Sequence, residues 1–240
     1  MEITLSICGS AGRRDDAAKM SKQHFEAACI VATGLMEQLK ECNFPITTLV
    51  SGGAAFIDHV AVKLFLQKKV PNLRLFLPAK WEMGKYADTG ERDPHKNPGG
   101  TANYYHKKFL NATGIHSLSD IQVAKSNGAE LIDENKNGKP LGFYPRNALV
   151  AKSDFILAIT FGKGKEVKDG GTADTVKRYL ERVRKENIFD KSFHYNLNDG
   201  KIYEGCTVPA ASEETDHASL RQGLSNSFGG SPQSNIFSIP

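Results

Sequence analysis

Residues 154–161 read DFILAITF, an almost unbroken apolar run, and this stretch decides the fold. A strand with one wet face alternates apolar and polar residues. A strand with no polar face is covered on both sides, which is the place of a central strand in a parallel sheet. Parallel neighbours must be joined by crossovers, usually helices, so helical periodicity should flank the run. Residues 145–152 precede it with such a pattern, and residues 172–186 follow it beyond a loop at 162–171.

The same alternation extends back to the N-terminus. Residues 2–8 (EITLSIC) read as the first strand. Ser21 stands where a helix running to about Cys42 would be capped, with Phe25, Ala28, Cys29, Ala32, Leu35, Met36 and Leu39 at three-and-four spacing on one face. Pro45 closes that connection. Residues 46–50 and 73–77 read as strands, with a helix over 54–68 between them and Pro78 as the stop. The expected fold class is therefore α/β, a Rossmann-like open parallel sheet with helices on both faces. Residues 80–142 interrupt the rhythm and are expected to form an inserted helical and loop lid, with helices at 102–111 and, behind a Ser117 cap, at 118–126. Residues 1–206 then make a single domain. Residues 207–240 carry seven serines in 34 positions and read as a flexible tail, with Phe228, Ile236, Phe237 and Ile239 as its apolar anchors.

Composition narrows the class. With 40% hydrophobic and 24% charged residues, 240 residues suit one large domain or two small ones, at roughly 100 to 200 residues per domain. No apolar run approaches the roughly 18 residues that span a bilayer, so no membrane role is expected. Residues 1–8 enter a strand directly, with no basic stretch and no cleavage site, so the expected location is cytoplasmic. Cys8, Cys29, Cys42 and Cys206 are widely spaced and form no C-x-x-C pair, and no His, Asp or Glu set has ligand spacing; neither a metal nor another cofactor is expected. Up to Cys206 the chain carries 30 basic and 24 acidic side chains. That modest excess suits a phosphate-bearing ligand and falls short of a dedicated nucleic-acid surface.

Three glycine loops sit at the C-terminal ends of expected strands, where free N–H groups and helix dipoles converge in open α/β sheets. The first runs Gly9-Ser10-Ala11-Gly12-Arg13-Arg14, in which Arg13 could clamp a phosphate; it lacks the G-x-G-x-x-G dinucleotide pattern. The second runs Ser51-Gly52-Gly53-Ala54, with Asp58 in the next helical turn, where it could also serve only the helix N-terminus. The third is Gly170-Gly171-Thr172, followed by Asp174. Arg146 and Asn147 open the helix before the buried strand and point to the same edge, unless Arg146 is a surface arginine and Asn147 a cap.

These residues carry a resemblance. S-G-G-A-x-x-I-D at residues 51–58, R-N-x-x-V-A-x-S-D at 146–154 and G-G-T-A-D-T-V at 170–176 resemble the SLOG superfamily. That Rossmann-like group includes lysine-decarboxylase-like phosphoribohydrolases (the LOG relatives), DprA-like proteins and YspA-like proteins, and the chain is most similar to the YspA-like branch. The resemblance covers most of residues 2–186 and implies a nucleotide or nucleotide-derived small molecule, with Gly52, Gly53, Gly171 and Thr172 around phosphate and ribose. It also implies a homodimer. One departure matters: the phosphoribohydrolases carry P-G-G-x-G-T-x-x-E with a catalytic glutamate, whereas this chain has Thr175 at the glutamate position. Arg146 matches the arginine that works with that glutamate.

Three functions follow as expectations. The first is a binding or sensing module for a nucleotide-derived small molecule. The second is hydrolysis or transfer at the N-glycosidic bond of a nucleoside 5′-monophosphate, with Arg146, Asp174 and Asp58 as candidate catalytic residues and Asp88 or Glu82 as further carboxylates. The third, single-stranded DNA binding, rests on residues 80–108, where Trp81, Tyr86, Tyr104 and Tyr105 stand among Lys80, Lys85, Arg92, Lys96, Lys107 and Lys108. Glu82, Asp88, Glu91 and Asp93 nearly cancel that charge, so a nucleic-acid partner is not expected. In the lid reading, Trp81, Tyr104 or Tyr105 stacks on a base and His95 or His106 moves protons.

Overall fold

The computed structural model describes residues 2–209. Nine strands and seven α-helices alternate along them. β1 (Thr4–Gly9) leads through a short α1 (Asp16–Lys19) into α2 (Lys22–Glu41), then β2 (Thr48–Ser51), α3 (His59–Leu66) and β3 (Asn72–Phe76). A small hairpin of β4 (Trp81–Glu82) and β5 (Lys85–Tyr86) follows, then α4 (Pro98–Thr113), α5 (Ser117–Ser126) and β6 (Glu130–Ile132). The last third is α6 (Phe143–Val150), β7 (Phe155–Thr160), α7 (Gly171–Glu186), β8 (Ser192–Asn196) and β9 (Lys201–Glu204).

Seven strands form one sheet in the order β6-β3-β2-β1-β7-β8-β9, parallel throughout except for the β8–β9 hairpin. The DFILAITF run is central, as expected: all six residues of β7 are buried. Its side chains divide by parity between the two faces. Phe155, Leu157 and Ile159 join Leu5, Ile7 and Leu49 in the core under α2 and α3, while Ile156 and Ala158 join Cys8 under α7. Burying a Leu, Ile or Phe side chain of this kind contributes roughly 1.5–3 kcal/mol. Ser21 caps α2 as its sequence indicates, accepting the His24 N–H.

Residues 80–142 do not lie over the sheet as a lid. They deliver β6, which pairs in parallel with β3, and α5 packs on α3. Trp81 and Tyr86 are buried with their rings edge to face, and the Trp81 indole N–H donates to Gln122. The segment is thus a crossover of the sheet itself, and β6 escapes a sequence reading because it is three residues long and nowhere fully buried. β8 and β9 escape it too, since β8 (SFHYN) is rich in polar residues that turn out to be buried.

Of the segment read as a tail, residues 210–240 lie outside the described residues, but Thr207 belongs to the domain. It exchanges backbone hydrogen bonds with Lys165 and Val167, and Val208 packs on the α7 core. Among the described residues no helix is long and apolar enough to cross a membrane.

Candidate functional site

The chain leaves β1 in one direction, through β2, β3 and β6, and in the other through β7, β8 and β9. The boundary between β1 and β7 is the point where strand order reverses, and there the loops at the strand ends part to leave a crevice. A cleft of about 110 Å³ occupies it. That volume is below the roughly 300–1,000 Å³ of pockets that enclose a whole drug-sized ligand, so the floor fits a group of phosphate size with the remainder of a ligand lying outward.

All three glycine loops reach this cleft. Gly9, Ser10 and Arg13 line it from β1, Gly52 and Ala54 from β2, and Gly170, Gly171 and Thr172 from the start of α7. The close approach of these loops needs glycine: a Cβ on Gly9 would sit 2.2 Å from the Ile159 carbonyl oxygen. Gly170 has φ 117°, a conformation open to glycine, and no side chain caps the α7 N-terminus. Its first N–H groups therefore face the cleft with a positive dipole end behind them.

Arg146 and Asn147 are buried in α6 at the cleft floor. The guanidinium donates through Nη1 to the Gly52 carbonyl (3.1 Å) and through Nε and Nη2 to Asn147 Oδ1 (3.2 and 2.9 Å). Asn147 Nδ2 donates in turn to Asp174 Oδ2 (3.0 Å), whose carboxylate also accepts from Arg178 Nε. Asp174, a candidate catalytic acid by sequence, thus stands behind Asn147 and does not line the cleft. It orients the amide that orients Arg146.

Asp58 does line the cleft, buried beside Gly52. Its Oδ1 accepts from the Gly9 N–H and its Oδ2 from the Ala54 N–H, both at 3.2 Å, so it ties two glycine loops together. A Cβ on Gly52 would stand 2.9 Å from both Asp58 Oδ2 and Arg146 Cζ; the missing methyl lets the two charged groups converge. Burial pushes the Asp58 carboxyl above its ordinary range, against the pull of Arg146 and the two N–H groups. Burial likewise lowers the Arg146 pKa, with Asp58 opposing and nearby Arg13 adding to the shift. Cys8, also in the lining, is held as a neutral thiol, its pKa raised well above the ordinary value by burial and then by Asp58.

The remaining sequence candidates stand outside the lining of this cleft. Ser51 Oγ lies within hydrogen-bond reach of the Ile7 and Asp58 carbonyls. Gly53 lies one step back from the cleft, where its carbonyl accepts from the Tyr86 hydroxyl and from His106 Nε2. His106 is buried, with its Nδ1 2.7 Å from the Ser117 hydroxyl, and so holds a loop in place instead of reaching a ligand. Asp88 caps a turn through the Gly90 N–H and Asn97, and Glu82 is exposed on the small hairpin. His95 stacks on Tyr144.

Sequence reasoning missed Lys168, Asp16, Asp169 and Thr160 in the lining. Lys168 Nζ donates to Asp15 Oδ1 (2.7 Å) and Asp16 Oδ1 (2.6 Å), and Asp16 Oδ2 accepts from Ser10 (2.9 Å), so the β7 loop is latched to the β1 loop across the cleft mouth. Thr160 Oγ1 accepts the Lys168 N–H and lies 2.9 Å from His194 Nε2. Extending the third glycine loop two residues upstream would have found Lys168 and Asp169. The pairing of Lys168 with residues more than 150 positions away has no local signature.

Fold and cleft together define a Rossmann-like α/β protein with a crevice at its switch point that is lined by both cations and carboxylates. No protein-family model matches the chain. Over 190 residues it is 34% identical to an uncharacterised protein of Acanthamoeba polyphaga mimivirus, across 78% of this chain and 96% of the viral one. The chain belongs to the same family as that viral protein.

Proposed function

We propose that the protein binds a phosphorylated, nucleoside-like small molecule in the cleft between β1 and β7, as a binding or sensing module. The observation that carries this reading is Arg146. It is a buried cation at a cleft floor, and among the described residues it makes no salt bridge to a carboxylate. Asp58 is close enough to pull on its charge but is bonded to the Gly9 and Ala54 N–H groups and does not contact the guanidinium. A buried cation neutralised only at that remove gains from an anion in direct contact. An anion held by the guanidinium and the uncapped start of α7 would be that contact. The resemblance to the SLOG superfamily supports the nucleotide character of that anion.

The same geometry favours binding over N-glycosidic cleavage. Thr175, which the SLOG resemblance puts at the glutamate position of the phosphoribohydrolases, lines the cleft with its hydroxyl turned to the Gly171 carbonyl. Asp58, the one sequence-nominated carboxylate in the lining, already accepts two backbone N–H groups. The aromatic residues that would support the DNA reading are partly interior, Trp81 and Tyr86 being core residues.

Titration calorimetry with ribose 5-phosphate and the four common nucleoside monophosphates tests the proposal. The parent protein should bind at least one of these, and Arg146→Ala should cost about 1.5–3 kcal/mol of affinity. Arg146→Lys should not restore it, because an ammonium cannot reproduce the fork. Incubation of the same nucleotides followed by chromatography should yield no free base. A folded parent that binds none of the probes removes the reading; base release at enzymatic turnover replaces it with the hydrolase.

A further inference from the structure

Beside the main cleft lies a second, much smaller hollow that shares Ala11, Arg13, Ala54 and Arg146 with it and continues to Tyr105 and Phe143. The Arg13 side chain stands between these two rings. Its Cζ is 5.4 Å from the centroid of Tyr105, on α4, and 5.6 Å from that of Phe143, the first residue of α6. Arg146 approaches the same Phe143 ring, at 5.6 Å. Two guanidinium groups thus lie against one aromatic ring.

Arg13 forms no ion pair there, and among the described residues no carboxylate or carbonyl accepts from it. Cation–π contacts at partly exposed sites are weak, and immobilising a long side chain consumes much of what they give. A phosphate in the adjoining cleft would offer Arg13 charge-assisted, two-pronged hydrogen bonds instead. Leaving the rings for the phosphate would vacate the space that Arg13 takes beside Tyr105 and Phe143, with Tyr104 still edge-on to Tyr105 and Arg146 still beside Phe143. A flat heterocycle is the group that such a gap takes up, since bases stack on aromatic side chains whatever their hydrogen-bonding edges.

We infer, resting on the phosphate reading above, that Tyr105 and Phe143 form a stacking slot for the planar base of the ligand, and that Arg13 fills this slot until a phosphate draws it away. The slot selects a neutral or cationic heterocycle, because the π faces that accommodate a guanidinium repel an anionic ring. The site is therefore divided: a phosphate floor at Arg146 and α7, and an aromatic wall that the β1 loop covers with its own side chain.

The test compares ligands that differ only by the base. Calorimetry of the full chain should show at least one of AMP, GMP, CMP and UMP binding on the order of tenfold tighter than ribose 5-phosphate, as stacking on one or two rings provides. Tyr105→Ala, and Tyr105→Leu as the variant that preserves packing against the core, should remove most of that margin, acting on the nucleotide far more than on ribose 5-phosphate. Tyr105→Phe, which retains the ring, should restore it. Arg13→Ala should weaken ribose 5-phosphate and nucleotide together. If ribose 5-phosphate binds and no nucleotide binds more tightly, the slot is overturned while the phosphate floor stands. Equal losses for both ligands in both Tyr105 variants would also overturn it, as a general loosening of α4. Failure of every probe with the folded parent overturns the phosphate reading and the slot with it.

Discussion

At the residue scale the glycines of the cleft separate by what an added Cβ would meet: fixed backbone, movable side chains or open space. A Cβ on Gly9 meets the Ile159 carbonyl at 2.2 Å, which cannot move without parting β1 from β7, and the fully buried Ile57 side chain at 2.4 Å, which has no free space to retreat into. Gly9→Ala should therefore cost at least about 3 kcal/mol of stability, the upper range for overpacking. On Gly52 the methyl would press on Arg146 and Asp58, whose side chains can shift, so Gly52→Ala should cost about 1–2 kcal/mol and displace the guanidinium. On Gly171 the nearest atom is Asn147 Nδ2 at 3.9 Å, and Gly171→Ala should leave the melting temperature nearly unchanged while crowding any anion at the α7 N-terminus. Thermal melts alongside calorimetry with ribose 5-phosphate distinguish the three. A melting point that falls equally in all three would contradict this division.

At the scale of elements, α4 and the β4–β5 hairpin act as a buttress for the second glycine loop. His106 and Tyr86 both donate to the Gly53 carbonyl, and the histidine does so as a neutral ring. Burial, with His59 nearby, lowers the His106 pKa to about 3. The sign follows from proton uptake: below about pH 6.5 the unfolded chain takes a proton that the folded one refuses, so stability falls with falling pH until the folded pKa is reached. From pH 6.5 to 5 this one residue should remove about 2 kcal/mol. His106→Gln, whose amide can still donate to Gly53, should be less stable at neutral pH but lose about that much less on acidification. Urea midpoints at pH 7, 6 and 5 give the comparison, with His59 present in both proteins. How far these elements were legible depends on where their evidence lies along the chain. The DFILAITF strand and the Ser21-capped helix are written in contiguous residues, and both stand within a residue or two of the expected bounds. The three glycine loops and Arg146 were legible because each follows or precedes a strand whose reading was secure. The buttress was not, because Tyr86 and His106 sit in no local apolar pattern and read as a stacking ring and a proton carrier; only the fold shows them enclosed. Asp174 was misplaced for the same reason, its orientation being set by Asn147 and Arg178 rather than by its closeness to Gly171.

For the whole molecule, the domain is closed by contacts among distant parts of the chain. Thr207 holds the loop after β7 through its exchange with Lys165 and Val167, and this loop carries Lys168 to the cleft. A chain ending at Pro209 should keep the melting temperature of the full protein. One ending at Cys206 gives up two backbone hydrogen bonds, about 1 kcal/mol each, and should melt a few degrees lower with weaker ligand binding. Equal melting points for the two truncations would show that the Thr207 bridge contributes nothing.

The central position of β1 has a consequence for synthesis. It is translated before the other eight described strands, yet one of its two neighbours is β7, whose Phe155 pairs with Leu5. While about 150 residues are being translated, β1 can complete only one side, and the hydrogen-bonding edge destined for β7 stays open. Folding of the cleft between β1 and β7 must therefore wait for nearly the whole domain. Ribosome-arrested chains should remain protease-sensitive until β7 and α7 have cleared the exit tunnel, then become resistant in a single step, a timing that places the domain's greatest need for chaperones late in its translation.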